Sequence, residues 1–185
     1  WIAEATEKRG LMNLRTTPDA IPHILDKKNM DMLISHKVFT EAEIRSRCEI
    51  TLENYCKSVI IEANTMVDMA RKQILPAVES YASDVAAAAA AKKAVNPELT
   101  CGYEKGIVGK LSVLTDQIAM KTDDLEAAVL KLADAADIIE ESYAIRDTVL
   151  AKMSELRAVA DEAETMTAES YWPFPNYGDL LFGVK

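Results

Sequence analysis

Residues 40 to 95 leave little freedom in what this chain can fold into. Thr40-Glu41-Ala42-Glu43 matches a capping box, in which the Thr40 hydroxyl takes the Glu43 amide and the Glu43 carboxylate reaches back. Beyond it, apolar or small residues recur in steps of four, four and three. Ile44, Cys48, Leu52, Tyr55, Val59, Ala63, Met66, Ala70, Ile74, Ala77, Tyr81, Val85 and Ala88 follow one another. Eleven residues per three turns keeps such a stripe nearly straight, with a slight right-handed drift. A single helix over this run measures about 80 Å at 1.5 Å per residue. It needs other helices alongside it. Pro76 lies within the run and has no amide for the Lys72 carbonyl, so a kink is expected there.

The flanking segments supply those helices. Trp1 to Arg9 reads as the end of a helix closed by Gly10. Thr16-Thr17-Pro18-Asp19 is a helix start: a threonine cap, an early proline and an acid in the first turn. Pro22 follows too soon for that helix to continue, which predicts one short turn and then a second start. Ile24, Leu25, Met30, Leu33 and Ile34 then mark a modest amphipathic helix over Pro22 to Lys37. Asn96-Pro97-Glu98 ends the long helix and repeats the start signature.

A third long segment, to about Ala135, carries a heptad stripe: Ile107, Leu111, Leu114, Ile118, Lys121, Leu125, Ala128, Leu132 and Ala135. Lys121 at a core position either fixes register or buries its stem and snorkels its amine outward. Asp134 to Glu141 holds a reversal. Ile138, Ile145, Val149, Met153, Leu156, Ala160 and Ala163 then trace a last helix ending near Thr167. Long amphipathic helices joined by short connections pack most simply as an antiparallel bundle. The expected fold is all-α: an elongated antiparallel bundle of three long helices, about 41–95, 98–135 and 138–167, with short N-terminal helices before it. The expected division is a connector over 1–22, a bundle domain over 23–168 and a C-terminal tail over 169–185.

The tail obeys other rules. Tyr171-Trp172-Pro173-Phe174-Pro175-Asn176-Tyr177-Gly178-Asp179-Leu180-Leu181-Phe182 holds five of the eleven aromatic residues in the sequence. Its prolines argue against a regular helix, and Tyr177-Gly178 suggests a turn. Such a density of rings is costly to leave in water, so the tail either lies back on the bundle or docks into a partner. Tyr171, Trp172, Phe174, Tyr177, Leu181 and Phe182 are the candidate interface.

Catalytic chemistry is hard to find. Gly106-Ile107-Val108-Gly109-Lys110 resembles part of a phosphate loop, but Glu104 stands where the first glycine belongs and Leu111 replaces the Ser or Thr. His23 and His36 are far apart in sequence, and no Glu-x-x-His or Cys-x-x-Cys occurs. Adjacent acids such as Asp123-Asp124 and Glu140-Glu141 diverge on a helix and read as solvated faces. No catalytic, cofactor-binding or metal-binding residue is therefore expected. The net charge of −9 argues against a nucleic-acid or anionic-membrane partner. Cys48 and Cys56 stand about 12 Å apart by helical rise, too far to pair, and with Cys101 they fit a reducing, cytoplasmic setting as buried apolar residues. No apolar run suits membrane insertion. The chain opens at Trp1 with no initiator methionine, from which a larger parent is expected.

Four stretches, taken in order, carry a resemblance. They are EATEKRGLMNLRTTPDAIP (Glu4 to Pro22), NYCKSVIIEANTMVDMARKQILPAV (Asn54 to Val78), RDTVLAKMSELRAVADEAE (Arg146 to Glu164) and YWPFPNYGDLLF (Tyr171 to Phe182). Together they resemble the C-terminal region of type III glutamine synthetases, the long-chain bacterial class. The resemblance implies a cytosolic parent ligase that phosphorylates the glutamate γ-carboxylate with ATP and lets ammonia displace phosphate, with Mg or Mn neutralising the phosphates. It places those ligands in catalytic domains upstream of Trp1, and it implies assembly of the parent into a homo-oligomer. No catalytic motif of that family matches a position here. The reading that competes with it is a stand-alone helical scaffold or adaptor, binding protein partners through its bundle or tail.

Overall fold

The computed structural model describes residues 1–175 and 177–183, without the side chain of Tyr177. It is all-α, with no strand among the described residues. The chain separates into two compact units, Trp1–Ile61 with Leu130–Leu150, and Glu62–Val129 with Ala151–Lys185.

The first unit opens with a π turn at Glu4–Lys8. Gly10, at φ 66°, then reverses the chain so that the Leu11 amide reaches the Ala5 carbonyl at 3.0 Å. That φ lies in the left-handed region which glycine adopts without a Cβ clash. Helix α1, Thr17–Ala20, starts as its signature predicts: the Thr16 hydroxyl accepts from the Asp19 amide at 3.3 Å, and Pro18 is buried. The 3-10 turn Ile21–Leu25 with Pro22 near its start is the expected second beginning. Asp26, with ψ at 136°, then breaks the segment, so the amphipathic helix is the shorter α2, Lys27–Ser35. The Asp26 carboxylate pairs with His23 Nδ1 at 2.9 Å instead of capping α2.

The long run is unbroken. Helix α3 comprises Glu41–Met69, a π turn at Ala70–Ile74, and Leu75–Val95. Its capping box forms: the Thr40 amide donates to Glu43 Oε2 at 2.7 Å, and the Glu43 amide donates to Thr40 Oγ1 at 3.3 Å. At Pro76 the helix neither stops nor loops. The preceding turn widens, and the Leu75 amide bonds the Ala70 carbonyl one residue further back than in an α-helix. Ile44, Cys48, Leu52, Val59, Ala63, Ala70 and Ile74 are buried as the stripe predicts. Cys56, Val67, Val78 and Ala82 take the places of their neighbours Tyr55, Met66, Ala77 and Tyr81, and Ala88 is exposed. The buried positions run Ile44, Cys48, Leu52, Cys56, Val59, Ala63, Val67, Ala70, Ile74, Val78 and Ala82. Tyr55, Met66, Ala77 and Tyr81 flank that line, half-buried.

Helix α4, Gly102–Leu130, runs on into a 3-10 turn at Lys131–Asp134. It begins four residues after the expected start. Asn96 is extended and its side chain accepts from the Glu98 amide at 3.0 Å, closing a local turn, and Cys101 sits at φ 47°. The last helix, α5, is Ile138–Ala144, a π turn at Ile145–Val149, and Leu150–Met166. Asp137 caps it, accepting from the amides of Ile139 at 2.9 Å and Glu140 at 2.8 Å. Helix α6, Tyr177–Phe182, occupies the stretch where a turn at Tyr177-Gly178 was expected; both prolines precede it and leave it undisturbed.

Ion pairs within the second unit show that its helices alternate in direction. Arg71 of α3 meets Asp123 and Glu126 of α4, while Lys92 meets Glu104. Lys121 and Asp124 of α4 then meet Glu155 and Lys152 of α5. Between them Ala70, Ile74, Val78, Leu111, Leu114, Ile118, Leu125, Leu156 and Ala160 form the core. In the first unit Ile44, Leu52, Cys56, Ile145 and Val149 do the same.

Candidate functional site

After α5 the chain turns tightly, with the amides of Tyr171 and Trp172 donating to the Ala168 carbonyl at 2.8 and 3.2 Å. This aims Tyr171 at the flank of α3. Its hydroxyl donates to the Asp84 carboxylate, and its ring lies 5.3 Å from that of Tyr81, tilted by 54°. The hydrogen bond to Asp84 holds the Tyr171 phenol above its ordinary pKa. Tyr81 is raised too, through its own hydrogen bond with Tyr103 of α4. Trp172 and Phe174 then meet edge to face, with centroids 6.3 Å apart.

The six candidate interface residues thus divide. Tyr171, Trp172 and Phe174 are half-buried, Tyr171 against α3 and the other two against each other. Leu181 and Phe182 on α6 are open to solvent, as is Leu180, at 70, 82 and 67% exposure. The side chain of Tyr177 lies outside the described residues. Tyr81, Asp84 and Tyr103, which receive the tail's first ring or support its receptor, were not singled out from sequence; only the place of Tyr81 on the α3 stripe hinted at it.

A second constellation lies in the first unit. Arg146, in the π turn of α5, donates from Nη1 to Asp19 of α1 and forks onto its neighbour Asp147 at 2.6 and 2.7 Å. Its guanidinium also stacks 4.7 Å over the Tyr143 ring. Asp19 is itself oriented by the Thr16 hydroxyl at 2.7 Å. The hydrogen bonds from Arg146 hold Asp147 below the ordinary carboxylate range. The charged groups of this cluster are paired with one another, which suits a clamp better than a reaction centre. The first unit also holds a cleft of about 160 Å3 lined by Leu25, Arg45, Cys48, Glu49, Leu52 and residues 137–139. It is smaller than a typical small-molecule pocket of about 300–1,000 Å3.

Gly106 to Lys110 lie inside α4, so they form helix where a phosphate cradle needs a loop. Among the described residues no three His, Cys, Asp or Glu side chains are placed to share a metal ion, and no helix is long and apolar enough to cross a membrane. Cys48, Cys56 and Cys101 are buried free thiols. Burial pushes the Cys56 thiol up to about 11, away from any nucleophilic role at neutral pH.

Known proteins align with this arrangement along its whole length. A glutamine synthetase of Butyrivibrio fibrisolvens is 36% identical over 185 residues, covering all of this chain and 26% of the relative. One from Bacteroides fragilis is 27% identical over 98% of the chain and 25% of its own length. A type-3 glutamine synthetase of Dictyostelium discoideum is 26% identical over 97% of the chain and 25% of its own length. The chain therefore spans about a quarter of the length of these relatives. The family model of the glutamine synthetase C-terminal domain matches residues 1–93, so the chain belongs to the glutamine synthetase C-terminal domain family.

Proposed function

We propose that this chain is the non-catalytic, assembly-bearing C-terminal part of a cytoplasmic enzyme that joins ammonia to glutamate through a γ-glutamyl phosphate. ATP and Mg or Mn act in a catalytic domain upstream in the same polypeptide. The residues here do not fit either group: Gly106 to Lys110 are helical, and no acidic or histidine cluster converges among the described residues. Residues 1–22 serve as the connector, 23–168 as the bundle domain and 169–185 as the contact element.

The observation that carries this reading is the form of the tail. Tyr171 fastens it to α3, and beyond that anchor Leu180, Leu181 and Phe182 turn their apolar surface outward. An ordered apolar element on the outside of a protein marks an interaction site. A second copy of the subunit in a homo-oligomer is the partner we assign to it.

The test uses the full-length polypeptide. Deleting residues 171–185 should reduce the oligomer in sedimentation velocity while the remaining subunits still bind ATP with magnesium. An oligomer of unchanged size after deletion overturns the role given to the tail. Calorimetry on the 185-residue chain alone should show no ATP–magnesium binding; micromolar binding overturns the placement of the active site.

A further inference from the structure

The beginning of the first unit is fixed in place, yet it shows its apolar side chains to solvent. Ala5 is buried, Leu11 is bonded back to the first turn, Pro18 is enclosed, and Asp19 is held by both Thr16 and Arg146. A free linker would be mobile and polar. Here Trp1 is 96% exposed, Leu11 58% and Met12 63%, with Ile2 and Leu14 exposed beside them in sequence. Arg15 adjoins this set and makes no ion pair among the described residues, whereas Lys8 and Arg9 both pair with Glu4.

We infer that the segment Trp1 to Arg15 is a docking seat for the preceding part of the same polypeptide, which meets it with an apolar patch edged by a carboxylate. This rests on the reading above, because it needs the polypeptide which that reading supplies. The choice of occupant follows from three observations. The chain corresponds to the C-terminal quarter of its relatives, so some three times its own length of polypeptide joins it at this end. A domain tethered directly at Trp1 is present at an effective concentration in the millimolar range, on the order of that for short linkers, which outcompetes a free partner. Arg15, next to Leu14 in sequence and without an ion pair among the described residues, matches a carboxylate on the occupant.

The Asp19–Arg146 pair gives the seat its direction. It ties α1 to the π turn of α5 across a sequence separation of 127 residues, so the seat is held by the body of the unit and not only by its neighbours in sequence. A pre-oriented seat loses less freedom on docking than a flexible strap.

Hydroxyl-radical footprinting of the full-length polypeptide tests this without any substitution. Met120, half-exposed on α4, is the internal standard. Met12 should oxidise several-fold more slowly than Met120. Equal rates overturn the seat. A photo-crosslinker placed at Met12 in oligomers assembled from mixed light- and heavy-isotope chains identifies the occupant. Crosslinks to upstream peptides of matching isotope are expected; mixed-isotope crosslinks assign the seat to a second copy and overturn the inference. Glutamine formation by the same preparation separates the two ideas. Loss of activity in the intact polypeptide defeats the proposed function, whereas full activity with a freely oxidised Met12 defeats the seat alone.

Discussion

Arg71 and Glu126 form a two-pronged contact in which Nη1 and Nη2 lie 2.8 and 2.7 Å from the two carboxylate oxygens. The same guanidinium reaches Asp123 at 2.7 Å, so one side chain of α3 spans a turn of α4. These hydrogen bonds hold Glu126 below the ordinary carboxylate range. The group is open to solvent, so geometry rather than energy is its main contribution. Arg71→Lys keeps the charge but loses the fork. We expect a small drop in the thermal midpoint at low salt that vanishes at high salt. A drop that persists in high salt contradicts this account.

Thr122 and Leu125 are both buried in α4, but they should respond very differently to substitution. Leu125→Ala leaves a cavity and should cost about 2–5 kcal/mol. The Thr122 hydroxyl only back-bonds the Ile118 carbonyl at 2.7 Å, an acceptor already in the helix ladder. Thr122→Val should therefore change stability by no more than about 1 kcal/mol. Urea unfolding of both variants checks the contrast, and equal losses refute it.

Cys56 gives a pH dependence with a definite sign. Burial raises its thiol from an ordinary value near 9 to about 11. The folded state thus keeps a proton that the unfolded state releases. Its contribution to stability is fully present below about pH 9 and is lost as pH rises through about 11. Unfolding across that window should show a steeper decline for the native chain than for Cys56→Ala, each compared with its own value at pH 8. Parallel curves exclude the effect.

Pro76→Ala should restore an amide in α3 while the π turn at Ala70–Ile74, which sets the bearing of Val78 and Ala82, is kept. Proline in a helix interior costs about 3 kcal/mol relative to alanine. The widened turn already relieves part of that, so a gain of about 0.5–3 kcal/mol is expected in thermal unfolding. A destabilised variant contradicts this expectation.

Much of the fold could be read from sequence because capping boxes, prolines and periodic apolar residues act locally. Thr40, Thr16 and Gly10 do what their neighbours dictate. The register of α3 was off by one where two apolar residues adjoin, as in Tyr55-Cys56, Met66-Val67 and Ala77-Val78. In each pair the approach of other helices buries the second residue, and a single helix carries no sign of that choice. Lys121 does snorkel, reaching Glu155 at 2.6 Å, and Thr122 takes the buried place beside it. The Asp19–Arg146 clamp was invisible because its partners are remote in sequence. At the candidate interface, sequence marked the tail rings as a group. It could not separate the anchored Tyr171 from the outward Phe182, since that depends on Tyr81 and Asp84.

The π turn at Ala70–Ile74 gives α3 a tolerance to length that an ordinary helix lacks. Such a turn is equivalent to one additional residue housed within the spiral. Removing a single residue from this stretch would let it relax to plain α geometry without any break in the chain. Everything after it would keep its bearing, so Val78 and Ala82 would stay on the buried line and Asp84 where it accepts the Tyr171 hydroxyl. The same deletion within an α-helical part of α3 would turn all that follows by about 100° at 3.6 residues per turn. It would swing those side chains away and unfasten the C-terminal segment, some hundred residues further along the chain.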